Sequence, residues 1–139
     1  MRVDSNKNTS NPTILVVDDD DLVRAMVAHV LERQGYRVLG AADGASALTL
    51  YVEEKPDLVV LDIAMPHMSG MEVAARLREM QREEGHRVPI IVLTAYARSF
   101  FGAGGTSVNV DSYLTKPVLP EKLLASVHQF LGDDASQEA

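Results

Sequence analysis

The chain has 139 residues, 46% of them apolar and 24% charged, which is one domain's worth of sequence with enough apolar side chain for a core. Acids outnumber bases 20 to 13, and a net charge of −7 argues against nucleic acid or an anionic membrane as the main partner. The absence of cysteine excludes disulfides, zinc–thiolate sites and thiol catalysis.

Residues 1–12 are polar, end at Pro12 and have no apolar stretch of the secretory kind, so they read as a flexible tail. Thr13 to Val17 is a β-branched run and the first predicted strand. A helix follows, with Leu22, Val23, Met26, Val27, Val30 and Leu31 on one face and Gly35 as its stop. Tyr36 to Ala41 is the second strand. Asp43 is the expected cap of a helix carrying Ala47, Leu48, Tyr51 and Val52, which ends before Pro56. Asp57 to Asp62 is apolar in the middle without alternation, the pattern of a strand buried on both faces. Ser69 and Glu72 fit a capping box that opens a third helix, with Val73, Leu77 and Met80 inward and a charged outer face, ending near Gly85.

Pro89 to Thr94 is a fourth strand and Tyr113 to Thr115 a short fifth. Pro120 suits the first position of a last helix that turns Leu123, Leu124, Val127 and Leu131 inward, with Gly132 just beyond. The segment from Tyr96 to Asn109 holds Gly102, Gly104 and Gly105, each costing about 1 kcal/mol relative to Ala in a helix. Residues 98–108 are therefore expected to be short, irregular or mobile until a partner orders them. Residues 133–139 read as a second, acidic tail. No run approaches the roughly 20 apolar residues of a membrane span, so the expected location is the cytoplasm.

Strands alternating with helices imply a single α/β domain, residues 13–132, built as a doubly wound parallel sheet of five strands. In such sheets ligands bind beyond the carboxyl ends of the strands. Asp18 to Asp21 follow the first strand, Asp62 ends the third, Thr94 and Ala95 close the fourth, and Lys116 and Pro117 follow the fifth. At least three carboxylates, a hydroxyl and an ammonium thus converge on one edge. Carboxylates gathered in this way call for a cation, and an all-oxygen donor set completed by water suits Mg²⁺. A carboxylate beside Mg²⁺, with Lys and Thr nearby, can attack phosphorus and form an aspartyl phosphate. Asp20 and Asp21 read as helix-capping and first-turn acids. His29, His67, His86 and His128 are scattered surface residues without metal spacing, and Met65 and Met68 read as loop packing.

Four segments, Ile14-Leu15-Val16-Val17-Asp18-Asp19-Asp20, Val59-Val60-Leu61-Asp62-Ile63-Ala64-Met65-Pro66, Leu93-Thr94-Ala95 and Tyr113-Leu114-Thr115-Lys116-Pro117, closely resemble the receiver domain of two-component response regulators. The resemblance covers about residues 13–132. It implies a flavodoxin-like sheet of strand order 2-1-3-4-5. It implies Asp62 as phosphoacceptor, Asp19 as a direct Mg²⁺ ligand, Asp18 acting on the metal through water, and the backbone carbonyl of Ala64 completing the metal set. Thr94 and Lys116 would contact the phosphoryl group, small Ala95 would leave it room, and Thr94 and Tyr113 would form the switch, although Tyr113 also reads as plain core. A cis Lys116–Pro117 bond is implied as well. The phosphodonor would be a sensor histidine kinase or a histidine phosphotransfer protein.

Output would pass through the face of the fourth helical segment, fifth strand and last helix, with Phe100, Phe101 and Tyr113 as its surface. Phe100 and Phe101 read equally as residues packed under an ordinary helix. The downstream target is a protein not identifiable from sequence, because the stretch after Gly132 is too short for a DNA-binding domain. Asn109 takes the usual glycine position of the turn before the fifth strand, as the next-best residue for a left-handed backbone. Ala64 and Tyr96, two residues after Asp62 and Thr94, suggest a shielded phosphoryl group that is lost slowly. Two rival readings are an aspartate-nucleophile phosphohydrolase of the haloacid-dehalogenase type and a receiver-like interaction module that works without phosphorylation.

Overall fold

In a computed structural model, the chain is described over residues 11–95 and 109–132. The expectations for residues 98–108, for Tyr96, Phe100 and Phe101, and for most of both tails lie outside these residues. The elements in chain order are β1 (Thr13–Val17), α1 (Asp21–Glu32), β2 (Arg37–Ala41), α2 (Gly44–Glu54), β3 (Leu58–Asp62), α3 (Gly70–Glu84), β4 (Ile90–Thr94), β5 (Ser112–Thr115) and α4 (Pro120–Leu131). All strands are parallel, in the order β2-β1-β3-β4-β5.

Successive side chains of a strand point to opposite faces, so a strand covered on both sides is apolar throughout. Leu15, Val17, Val59, Leu61, Ile90 and Val92 pack on one face with Ala47 and Tyr51 of α2 and Val73 and Leu77 of α3. Ile14, Val16, Leu58, Val60, Ile91 and Leu93 pack on the other with Val27 and Leu31 of α1 and Leu123 and Val127 of α4. The central strands β1, β3 and β4 are buried along their whole length.

The helix starts follow the sequence. Asp20 caps α1, accepting from the Leu22 and Val23 N–H groups at 2.9 and 3.2 Å. Asp43 accepts from Ser46 N–H at 2.8 Å, and Ser69 Oγ accepts from Glu72 N–H at 3.2 Å. The Glu72 carboxylate pairs with Arg76 at 3.4 Å, one turn along α3, instead of returning to the Ser69 N–H, so only half of the expected capping box forms. Pro120 opens α4 at its first turn. Gly85, at φ 71°, ends α3 in the left-handed region that glycine adopts most easily.

Two residues expected inward face water. Leu22 is 81% and Val52 57% exposed. Each lies five residues from a buried position of its helix (Val27 and Ala47), which is about 140° round the helix axis. The inward faces are narrower than the apolar patterns suggested. In the opposite sense, Arg78 belongs to none of the charged outer face expected for α3, because it is buried with Ala74, Leu77 and Gln81.

Arg78 fastens β5 to the rest of the sheet. Its Nη2 donates to Asp111 Oδ2 at 2.7 Å, its Nε to the Asn109 carbonyl at 2.6 Å, and its Nη1 to Gln81 Oε1 at 2.6 Å and the Val88 carbonyl at 2.7 Å. Asp111 in turn accepts from Ile90 N–H at 2.7 Å and from Arg87 Nη2 at 2.7 Å. Burial raises the Asp111 pKa, but the donors of Arg87, Ile90 and Arg78 outweigh it and hold the carboxyl below its usual value. Removing one partner of a buried pair leaves the other charge uncompensated. Arg78→Met is therefore expected to cost about 3 kcal/mol in urea unfolding; a loss under about 1 kcal/mol would mean that Arg87 alone holds Asp111.

Candidate acidic site at the carboxyl edge

Parallel register brings the site residues together. Val17 of β1 is level with Leu61 of β3, and Asp62 with Leu93 of β4. The residues one step further, Asp18 and Thr94, therefore end up on the same edge as Asp62, on the two strands that flank it. Adjacent strands lie about 4.8 Å apart, so the acids of two strand ends are forced into contact distance. One carboxylate oxygen from each of Asp18, Asp19 and Asp62 lies within 4.8 Å of the others. Asp18 is fully buried and Asp62 2% exposed, whereas Asp19 opens the group to solvent.

Lys116, just after β5, reaches back over β4. Its Nζ is 3.1 Å from Asp62 Oδ1 and 3.2 Å from Asp18 Oδ2. It is aligned there by Lys116 N–H donating to the Thr94 carbonyl at 2.9 Å and is followed by a cis bond to Pro117, as expected. Burial lowers the Lys116 pKa, but Asp62 and Asp18 together raise it above its usual value. Thr94 is 7% exposed at the tip of β4, and Ala64 and Ala95 are exposed small residues at the rim. The β3–α3 loop closes the floor. Gly70 is needed there, because a Cβ on it would fall 2.0 Å from the Asp62 carbonyl oxygen. Tyr113 is 46% exposed, which rules out its reading as plain core. Met65 and Met68 pack against the core, and His29, His67 and His86 are exposed, with His128 partly so. Asp20 and Asp21 serve α1 as its cap and first-turn acid.

The donor set fits a small hard cation. It offers only oxygens, and one of them, buried Asp18 Oδ2, has no hydrogen-bond partner. That oxygen lies 3.2 Å from Lys116 Nζ. Three carboxylates against one ammonium leave an excess of negative charge in a buried place, which a divalent ion would offset. The same excess acts on Asp62, whose pKa is raised to about 6 by burial first and by the Asp18 charge second, against the pull of Lys116 and of the Ala64 N–H.

The Response regulator receiver domain family profile matches residues 14–128, and the chain belongs to that family. The alkaline phosphatase synthesis transcriptional regulatory protein PhoP of Bacillus subtilis is 40% identical over 121 residues, 87% of this chain and 49% of that protein. The chain thus spans about half the length of this curated relative. The chemotaxis protein CheY4 of Vibrio cholerae superposes with a TM-score of 0.78 at 32% identity, covering 86% of this chain and 98% of that one. The receiver domain of the sensor histidine kinase PA1611 of Pseudomonas aeruginosa has a TM-score of 0.76 at 29% identity, covering 88% and 98%. That structure holds a magnesium ion coordinated in its active-site cleft. The chain is therefore a receiver domain of the two-component systems, with the CheY-like sheet order expected from its sequence.

Arg24, Arg78 and Asp111 were not singled out by sequence. Arg78 left a trace there, since Gly70, Ala74, Leu77, Arg78 and Gln81 keep the helical spacing of one inward stripe.

A raised carboxyl pKa favours the protonated form in the folded state. The stability it contributes is complete below about 3.8 and is lost as pH rises through about 6. In metal-free protein, Asp62→Asn is thus expected to be more stable than wild type at pH 7.5, by about 2–3 kcal/mol, with the gain fading as pH falls from 6 towards 4. Chemical denaturation with a chelator present reads this directly, and equal stability at pH 7.5 would contradict the crowding of charge at Asp62.

Proposed function

We propose that this receiver domain works as a phosphoryl-accepting switch with Asp62 as its acceptor. The observation that carries the reading is a nearly buried carboxylate at a strand end, contacted by Lys116 and within reach of Asp18 and Asp19. Asp19 and Asp62, with the carbonyl of Ala64, would hold Mg²⁺ directly, and Asp18 would act on it through water. When bound, that ion would neutralise the charge on the phosphoryl oxygens.

The donor is a phosphohistidine on a sensor kinase or a phosphotransfer protein. An Asp62 carboxylate oxygen attacks phosphorus in line. The bond from phosphorus to the histidine nitrogen breaks, and its electron pair leaves with the imidazole. Lys116 Nζ, already 3.1 Å from Asp62 Oδ1, binds a phosphoryl oxygen. The Thr94 hydroxyl donates to another, and the small side chain of Ala95 leaves space beside it. The acyl phosphate then biases two arrangements of the β4–β5 side of the molecule. Tyr113 is the reporter on β5, half-exposed beside a groove of about 420 Å³ that Leu119 and Lys122 also line, and this groove suits a protein partner. No helix among the described residues is long and apolar enough to cross a membrane.

Incubation with Mg²⁺ and a small phosphodonor, read by intact mass, is expected to add one phosphoryl unit to wild type and none to Asp62→Asn. Lys116→Ala is expected to lower the rate by about 100-fold, the scale of losing one oxyanion contact. A phosphoryl unit retained in Asp62→Asn would overturn the assignment of the acceptor.

A further inference from the structure

Asp18 is held at three of its four polar backbone and side-chain positions by neighbours in the sheet and turn. Its N–H donates to the Ala41 carbonyl at 3.1 Å, its Oδ1 accepts from Asp20 N–H at 2.9 Å, and its Oδ2 faces Lys116. The remaining position, the carbonyl oxygen, belongs to no strand or helix ladder. Arg24 of α1 fills it: Nη1 donates to Asp18 O at 2.8 Å, and Nη2 to Asp21 Oδ1 at 2.8 Å. The arginine stem reaches this position by lying over Gly40 of β2, where a Cβ would come within 3.4 Å of Arg24 Cδ.

We infer that Arg24 is a positioning residue for the metal site, fixing the carbonyl of Asp18 so that Asp18 and Asp19 leave β1 at the angle that aims both carboxylates at Asp62. This rests on the reading of the three acids as a cation site. The guanidinium fork is what the place requires. Two acceptors in different directions, one a backbone oxygen and one a carboxylate, are met by two fixed N–H groups, whereas an ammonium on a flexible stem fixes neither direction. The same fork keeps Asp21 turned along α1, so the cluster stays at three carboxylates. A cation near a cation site also repels the ion, which opposes the positioning effect. That repulsion is small, because Asp21 neutralises Arg24 at 2.8 Å and the pair is open to solvent.

The test uses the full chain and reads Mg²⁺ affinity from the metal-dependent shift in thermal stability, together with amide exchange of the metal-free protein. Arg24→Met, which keeps the stem, is expected to weaken Mg²⁺ binding by about tenfold, the lower end of the range for residues that orient metal ligands. It should also speed exchange at the Asp20 N–H, while Val16 and Val60 in the central strands keep their protection. Arg24→Lys should recover part of the affinity and Asp21→Asn nearly all of it. The double variant Asp21→Asn with Arg24→Met conserves net charge and should match Arg24→Met alone, because the bond that matters runs to Asp18. Gly40→Val gives a second route if Arg24→Met fails to fold, since its branches would displace the Arg24 stem and weaken the ion with the guanidinium still present. Arg24→Met with Mg²⁺ affinity within twofold of wild type, or tighter, would overturn the inference, as would a double variant restored to wild-type affinity. Wild type that takes up no Mg²⁺ would instead overturn the reading of the acids themselves.

Discussion

Everything in this molecule turns on the repulsion among Asp18, Asp19 and Asp62, whose oxygens are held within 4.8 Å of one another. Left alone, such acids would separate or take up protons. The sheet denies them the first course, because β1 and β3 are adjacent strands in fixed parallel register with apolar layers packed on both faces. Asp62 shows the pressure towards the second, with its pKa raised to about 6. The fold thus leaves a local shortage of positive charge, met in part by Lys116, and that shortage favours a cation at the site.

Lys116 can serve only if β5 is held in place, and β5 is an edge strand of four residues in the described sheet. Its attachment is built at the far end of the molecule. Arg78 and Ile90 N–H grip Asp111 just before the strand starts, and the backbone pairing of Thr94 with Thr115 carries that register up to the lysine. A buried ion pair at one end of the sheet and an acid cluster at the other are therefore parts of one frame. The same frame leaves Tyr113 half-exposed on the strand that Lys116 follows, so the acid cluster and the β5 surface are mechanically close.

Much of this was legible from residue order alone. Apolar runs of strand length alternating with helical spacing pointed to the doubly wound sheet, and the rule that ligands bind at carboxyl ends drew attention to Asp18 to Asp21, Asp62, Thr94, Ala95 and Lys116, from which the receiver resemblance picked out Asp18, Asp19, Asp62, Thr94 and Lys116. Asp20, Asp43 and Ser69 were recognisable as caps because a cap is a local device, decided by residues two or three apart. What escaped was not local. The periodicity of α1 includes Leu22 but cannot say how wide an arc the sheet covers, and Leu22 lies outside it. Arg78 looked like surface because arginine usually is. Its burial depends on Asp111, which lies 33 residues away. Arg24 was hidden for the same reason, since its work depends on a carbonyl oxygen that has no sequence signature.

The central claim is that the acids of β1 and β3 share one divalent ion beside the lysine of β5. Mn²⁺ in place of Mg²⁺ tests it most directly, because a paramagnetic ion broadens amide resonances according to their distance from it. Substoichiometric Mn²⁺ is predicted to erase first the signals of residues 18–20 and 62–64, then those near Thr94 and Lys116, with excess Mg²⁺ restoring them. Broadening centred anywhere else on the chain, or none at all, would contradict the account.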